Sequence, residues 1–204
     1  MTSTTLLPEL VASPPHALPF ATSLHIRSYL LRRDTGNVLI YGAPGGSALG
    51  DISRAYLNHS HEAAFLDRAL TAPLFVHAAD RAETEPHHHV RATFSERHTL
   101  DDDLEVIPIP GHTPGATAYL WTSGGRRFLF TGDTLFLGDG GWRAAVLDSS
   151  DREAYVRSLE LLRGLEFDVL VPWGAAAGGP AYAETDPDDA RARIDAILER
   201  IRGT

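Results

Sequence analysis

Three apolar segments of this 204-residue chain each run into a loop that carries side chains of the kind that bind metal ions. The first loop contains His59 and His61, the second His112, and the third Asp133. An apolar segment bounded by turn residues is typical of a buried strand. If all three strands end at one edge of the fold, the four side chains meet at one point. This requirement predicts a metal site and limits the fold to those that align three strand ends.

The histidines have the chemistry and the placement that zinc requires. His59 and His61 are separated by one residue, so both rings can turn to the same side of their loop. His112 would complete a set of three nitrogen ligands at about 2.0–2.1 Å from the ion, which leaves a position open for water. Asp133 then closes the site or takes a proton from that water. Each residue alone also fits a hydrogen-bonding role, and aspartate often caps a turn. The ordered set of four favours a metal.

The rest of the chain alternates between short strands and helices. Asp34-Thr35-Gly36 and Ser123-Gly124-Gly125 are hairpin turn signals between apolar runs. Apolar residues recur with helical spacing in three segments, which predicts helices over Glu62–Leu70, Arg152–Arg163 and Asp188–Arg202. We therefore expect an α/β protein.

Composition narrows the expected binding partners and the expected cellular location. The length suits a single domain over residues 1–204. The net charge is −9 and there is no basic stripe, so neither nucleic acid nor an anionic membrane is an expected partner. The absence of cysteine excludes disulfides, thiolate ligands and a cysteine nucleophile. No segment resembles a signal peptide or is long enough to cross a bilayer, so we expect a cytoplasmic protein.

The ordered segments His59-Ser60-His61, Gly111-His112-Thr113-Pro114-Gly115 and Thr131-Gly132-Asp133 resemble the motifs of the metallo-β-lactamase superfamily. That signature is an H-x-H-x-D-H loop, a G-H-T-P-G histidine, a G-D aspartate and a final histidine in a P-G-H-G-like turn. The resemblance spans about residues 28–174. It implies an αββα sandwich, in which two mixed β-sheets pack face to face with helices outside. It also implies two metal ions and hydrolysis of esters, amides, thioesters or phosphodiesters.

The metal-binding residues that the resemblance implies are His59, His61, His112 and Asp133, the last of which also has a catalytic role as the base. They match the first two loop histidines, the next histidine and the bridging aspartate.

The groups that the family uses for a second ion are missing from this chain. Ala63 and Ala64 stand where the loop aspartate and the third loop histidine are expected, and the final turn reads Pro172-Trp173-Gly174-Ala175, without the histidine. Trp173 can fill the space that a second ion would occupy. We therefore expect one divalent ion per subunit, zinc, with iron as the alternative.

Three functions fit this pattern. The first is a mononuclear metal-dependent hydrolase of an unknown small molecule. The second is a degenerate, non-catalytic member of the family that binds a ligand or a partner in the cleft of the former metal site. The third is an Fe(II) dioxygenase of the persulfide dioxygenase type, because His59, His112 and Asp133 form a set of two histidines and one carboxylate. A homodimer is possible, because members of the family often form dimers.

Three further features have structural interpretations. Glu62 is expected to stabilise the start of its helix. The run His87-His88-His89 is expected to be a solvated loop, with weak metal binding as the alternative. Trp142 and Trp173 are expected to be packing residues.

Overall fold

The computed structural model of the chain describes residues 3–203. Its strands are short, and β1–β18 are, in chain order, Thr4–Leu7, Leu10–Ala12, His16–Leu18, Ala21–Ile26, Tyr29–Leu31, Val38–Ile40, Arg54–Tyr56, Leu74–His77, Val90–Phe94, His98–Leu100, Leu104–Pro108, Thr117–Ser123, Arg126–Phe130, Phe136–Gly138, Gly141–Arg143, Val169–Val171, Gly174–Ala176 and Ala183–Glu184. The α-helices α1–α3 are Arg81–Thr84, Arg152–Arg163 and Pro187–Arg202, and 3-10 helices cover Gly46–Ala48, Ser60–Phe65 and Ala78–Asp80.

The strands of residues 3–203 form a seven-stranded, a six-stranded and a five-stranded sheet. The first has the order β1-β2-β5-β6-β7-β8-β9, in which β6 to β9 are parallel and the others antiparallel. The second has the order β10-β11-β12-β13-β16-β18, and the third β15-β14-β17-β4-β3. The third sheet continues from the second, because β17 follows β16 after the two residues Pro172 and Trp173.

Burial of apolar surface explains the layers. One core lies between the first two sheets and includes Tyr29, Tyr41, Tyr119, Trp121 and Phe130. A second core lies between the other face of the second sheet and the helices α2 and α3. A third covers the outer face of the first sheet with the segments around the 3-10 helices. The predicted αββα sandwich is confirmed.

Two of the three predicted helices are confirmed, and each begins after a capping aspartate. Asp186 accepts hydrogen bonds from the N–H groups of Asp188 and Asp189, and Pro187 lies at the first position of α3. Asp151 caps α2 by accepting from the N–H of Ala154 at 2.9 Å. Apolar faces of both helices pack on the second sheet.

The predicted helix Glu62–Leu70 is wrong. The structure has a 3-10 helix over Ser60–Phe65, after which Leu66 is extended with φ −61° and ψ 135°. Asp67 then accepts from the Ser47 hydroxyl at 2.6 Å and from the Ala69 N–H at 3.1 Å, which starts a separate turn. The side chain of Glu62 is buried in the protein interior.

The sequence pattern also missed the strands before Tyr29. β1 and β2, and likewise β3 and β4, form short hairpins, and these hairpins join the sheets through pairing of β2 with β5 and of β4 with β17. No helix within residues 3–203 is long and apolar enough to cross a membrane.

Candidate metal centre

The first ligand loop follows β7 and brings two histidines into the cleft. His59 is buried and His61 is exposed at the cleft surface. Hydrogen bonds across the two main sheets fix the loop: the N–H of Thr117 donates to the carbonyl of Asn58 at 2.8 Å, and the hydroxyl of Tyr119 donates to the carbonyl of Leu57 at 2.5 Å.

The second ligand loop follows β11 and carries His112. Its Nδ1 lies 2.7 Å from the carbonyl oxygen of Ala145, so the hydrogen on Nδ1 is donated there and the Nε2 lone pair faces the site. Gly111 has φ +140°, and a Cβ at this position would lie 2.4 Å from the backbone of Tyr155. Glycine is therefore required where this loop passes under α2.

The third ligand loop follows β13 and carries Asp133. Gly132 before it has φ +55°, and a Cβ there would lie 2.0 Å from the side-chain oxygen of Asn58. The Gly132 N–H donates to the hydroxyl of Tyr41 at 2.9 Å, and that hydroxyl donates to the carbonyl of Val171 at 2.7 Å. The third loop is thereby packed directly against the first.

The four predicted side chains come together. One ring nitrogen each of His59, His61 and His112 lie within 4.8 Å of one another. His61 Nδ1 is 3.1 Å from His112 Nε2. Asp133 Oδ2 lies 3.6 Å from both His59 Nε2 and His112 Nε2. Whether these residues hold an ion stays a prediction.

The surroundings keep the three imidazoles neutral. Burial lowers the pKa of His59 to about 3, although the negative charge of Asp133 acts to raise it. Burial also lowers the pKa values of His61 and His112. For Asp133, burial raises the pKa of the carboxyl group. Neutral imidazole is the form that binds metals, so the histidines need lose no proton to take up an ion near neutral pH.

Glu62 supports His59, whereas the sequence analysis expected Glu62 to stabilise the start of a helix. Its Oε1 accepts from the N–H of Asn58 at 3.1 Å and lies 2.9 Å from His59 Nδ1, and its Oε2 accepts from the N–H of Gly42 at 3.0 Å. The side chain is fully buried, and burial raises its pKa while the backbone donors lower it. A proton on His59 Nδ1, which hydrogen-bonds to the side-chain oxygen of Asn58 at 3.2 Å and lies beside Glu62 Oε1, leaves His59 Nε2 free to bind. The position of Glu62 three residues after His59 is the sequence signal, because that is the capping-box spacing.

Asp80, which the sequence analysis did not single out, joins two ligand loops. It follows β8 and is buried. It accepts from the Ser60 N–H at 2.9 Å, the Thr113 hydroxyl at 2.7 Å and the Gly115 N–H at 2.7 Å. Ser60 lies between the two loop histidines and Thr113 follows His112, so one carboxylate fixes both loops.

Trp173 and the alanines form the other side of the cleft. The ring of Trp173 is 5.2 Å from that of His59, and its N–H donates to the carbonyl of Gly42 at 2.8 Å. Ala64 lines a cavity of about 440 Å³ beside this ring, and Ala63 is buried beneath it. Apolar side chains therefore flank this part of the cleft.

Two further features that the sequence singled out are Trp142 and the run of histidines 87–89. Trp142 packs on Phe167 with ring centroids 6.1 Å apart, as predicted for a packing residue. His88 lies 3.2 Å from the carbonyl oxygen of Leu70, and His89 pairs with Glu85 at 3.0 Å. Within residues 3–203 the histidines 87–89 form no cluster with metal-binding geometry.

The residues present fit a zinc ion. His59 Nε2 is buried and, within the described residues, has no hydrogen-bond partner, although such atoms are rarely left unpaired. Two donors on one zinc lie at most about twice the bond length apart, roughly 4.1 Å. The separation of 3.1 Å between the nitrogens of His61 and His112 meets that limit.

Solved structures share this fold over nearly the whole chain. A metallo-beta-lactamase from Pontibacter korlensis has a TM-score of 0.73 at 15% identity, covering 100% of this chain and 99% of that one. The subclass B3 enzyme BJP-1 of Bradyrhizobium japonicum has a TM-score of 0.66 at 17% identity, with 98% and 92% covered. An archaeal superfamily protein from Sulfolobus tokodaii has a TM-score of 0.65 at 15% identity, with 94% and 87% covered. At these identities the likeness concerns the fold.

The family is shown by sequence as well. No curated protein matches the chain. The sequence model of the metallo-beta-lactamase superfamily, however, matches residues 46–174, which include all three ligand loops and the Trp173 turn. With the motifs in order and the strand ends converging, this chain belongs to the metallo-beta-lactamase superfamily.

Proposed function

We propose that this protein is a mononuclear metal-dependent hydrolase that holds one zinc ion on His59, His61 and His112. The observation that carries the proposal is the buried, unpartnered Nε2 of His59, which faces two other neutral imidazoles and Asp133 at the floor of an open cavity. Three nitrogen ligands that leave one position open are the arrangement of catalytic zinc sites.

A zinc ion bound there lowers the pKa of water and polarises a carbonyl group. Asp133 is the base: its Oδ2 lies within 3.6 Å of two ligand nitrogens, so it reaches a water molecule at the same point. In hydrolysis the hydroxyl of water joins the acyl carbon and the bond to the leaving group breaks. Asp133 takes the proton of the water and passes it to the leaving oxygen or nitrogen.

One ion, not two, is proposed because the second-ion side lacks ligands. A cation held between Ala63, Ala64 and Trp173 would have neither charge compensation nor donor atoms, which is costly in a buried site. A single ion has three nitrogen ligands, and the nearby Asp133 carboxylate compensates its charge.

The first experiment is metal analysis of protein purified without chelator and then loaded with zinc. We expect one equivalent in the wild type and none in His112→Ala, which removes one of three nitrogens. His98→Ala is the matched control, since His98 is an exposed histidine on β10. Two equivalents in the wild type would refute the mononuclear site. No metal under any loading condition would favour the non-catalytic ligand-binding protein.

One observation favours a second candidate, the Fe(II) dioxygenase. Asp133 Oδ2 is equally distant from His59 Nε2 and His112 Nε2, which is a set of two histidines and one carboxylate. Iron in the purified protein together with substrate-dependent oxygen uptake would support it, and zinc without oxygen uptake would exclude it.

A further inference from the structure

The cavity above the metal centre has a continuous apolar wall. Phe20, in the turn between β3 and β4, has its ring centroid 6.5 Å from that of Phe65, and Phe65 lies 5.6 Å from Trp173. Trp173 in turn contacts the ring of His59. Leu18 and Leu147 complete this wall. An apolar surface therefore runs from solvent down to the candidate metal ligands.

The outer end of this wall is exposed where apolar side chains are usually buried. Phe20 is 79% exposed and Leu147 is 43% exposed, and both lie at the rim of the same cavity. The third large exposed apolar side chain of the described residues, Leu161, lies on α2 outside the cavity. Exposed apolar side chains that are grouped at a cleft are typical of a ligand-binding surface.

The carboxylates of the cavity are its only acidic groups among the described lining residues, and its basic groups are the imidazoles of His61, His87 and His112. Glu83 and Asp133 line it, and Glu83 accepts a hydrogen bond from the Ser60 hydroxyl at 2.6 Å. Among the described residues that line the cavity none is an arginine, and the chain contains no lysine. Carboxylates and phosphates are normally bound by such cations. An anionic group placed beyond the metal would face the Glu83 carboxylate, and the His87 imidazole is the group left there to bind it in place of an arginine or lysine.

We propose that the site takes an uncharged substrate with an aliphatic or aromatic group, which lies along Phe20, Phe65, Leu147 and Trp173, and that it discriminates against substrates that carry a negative charge on that group. The bond that is broken, an ester or amide, rests on the proposed hydrolase function. The binding of the apolar group does not, because it involves the wall alone. The cavity of about 440 Å³ is of the size that takes a small ligand.

Binding is tested on metal-free protein, so the result is independent of whether the loaded protein hydrolyses anything. The probes are 1-butanol, 1-hexanol and 1-octanol, each compared with the carboxylate of the same chain length, and tryptophan fluorescence is the readout because Trp173 lines the wall. We expect affinity to rise with length, at most about fourfold per buried methylene. Octanoate should bind at least tenfold more weakly than octanol. Equal binding of the two, or no dependence on chain length, would overturn the proposal.

Two variants locate the binding surface. Phe20→Ser and Leu147→Ser remove exposed side chains at the rim and should each weaken octanol binding about tenfold, which corresponds to roughly 1.4 kcal/mol. Leu161→Ser is the matched control and should leave binding unchanged. If the control weakens binding as much as the rim variants, the apolar wall is not the site.

With zinc-loaded protein the same preference should appear in kcat/KM. 4-Nitrophenyl butyrate and mono-4-nitrophenyl succinate have acyl chains of equal carbon number and differ by one carboxylate. We expect the neutral ester to be hydrolysed at least tenfold more efficiently. Preference for the anionic ester would overturn the proposed discrimination.

Discussion

At the scale of single residues, Glu62 shows how one buried carboxylate can serve both the backbone and a ligand. Its two oxygens face only N–H donors, from Gly42, Asn58 and the backbone and ring of His59. The first three hold the loop in shape. The carboxylate beside His59 Nδ1, together with the Asn58 side-chain oxygen 3.2 Å from that nitrogen, favours the tautomer in which Nε2 faces the cleft. Glu62 is therefore a positioning residue for the metal site.

We predict that Glu62→Gln lowers zinc affinity by about 10–100-fold, the range seen when the supporting partner of a metal-binding histidine is lost. The amide nitrogen of glutamine must face at least one N–H donor, so the free energy of unfolding should also fall by about 1–3 kcal/mol. Competition with a chromogenic chelator measures the affinity, and urea denaturation measures the stability. Glu96→Gln, at an exposed position, is the control. Unchanged zinc affinity would limit Glu62 to a structural role.

At the scale of elements, the centre depends on how the loops after β7, β8 and β11 are tied together. Asp80 does this with three hydrogen bonds, and Gly115 is needed beside it because a Cβ there would lie 2.6 Å from Asp80 Oδ1. Neither histidine loop has regular structure beyond one short 3-10 helix, so their relative position follows from this carboxylate and from the sheets.

Replacing Asp80 with asparagine should loosen both loops at once. The amide nitrogen would oppose either the Gly115 N–H or the Ser60 N–H, which leaves a buried donor unpaired at a cost of about 1–3 kcal/mol. We expect that loss in urea denaturation together with weaker zinc binding in a calorimetric titration. Asp139→Asn, on the exposed turn between β14 and β15, should change neither quantity. A destabilised variant with wild-type zinc affinity would show that the loops are positioned independently.

At the scale of the whole molecule, a polar cluster ties the first sheet to the second at the side chain of Arg33. Its Nε donates to Asp103 at 2.9 Å, and its terminal nitrogen also contacts Asp101 and Asp103. The Trp121 N–H donates to the same Asp103 carboxylate at 3.1 Å. The Arg33 side chain is 1% exposed, so its buried positive charge needs these carboxylates for compensation.

This cluster predicts an acid-sensitive contribution to stability. Burial raises the pKa of Asp103, but the hydrogen bonds and charge of Arg33 outweigh it and hold the net pKa below 3.8. A carboxyl with a lowered folded-state pKa stabilises the fold above its unfolded pKa of about 3.9, and this is lost as pH falls through the folded value. Asp103→Asn should cost about 1–3 kcal/mol at pH 7 and flatten the pH dependence below about pH 4. Urea denaturation from pH 7 to pH 2.5 checks this against Asp102→Asn, whose position is exposed. Parallel pH profiles for Asp103→Asn and the control would contradict it.

Local sequence patterns were enough for much of the fold. The hairpin signals at Asp34-Thr35-Gly36 and Ser123-Gly124-Gly125 lie between paired strands, and α2 and α3 follow from helical spacing with a capped start. The helix predicted over Glu62–Leu70 failed because the Glu62 carboxylate, which helical spacing treats as solvent-facing, is held in the interior by backbone donors. β1 to β4 went unnoticed because such short hairpins are marginal alone, and they are anchored by pairing of β2 with β5 and of β4 with β17.

The sequence by itself determined which side chains can bind a metal and their order along the chain, because these depend on residue type and spacing. Only the tertiary structure decided that Glu62 orients His59, that Asp80 joins two loops, and that Phe20 and Leu147 meet at the rim of the same cavity as Trp173. The reason is physical: burial and pairing between distant segments set the charge state and direction of a side chain, and neither is encoded within the few residues around it.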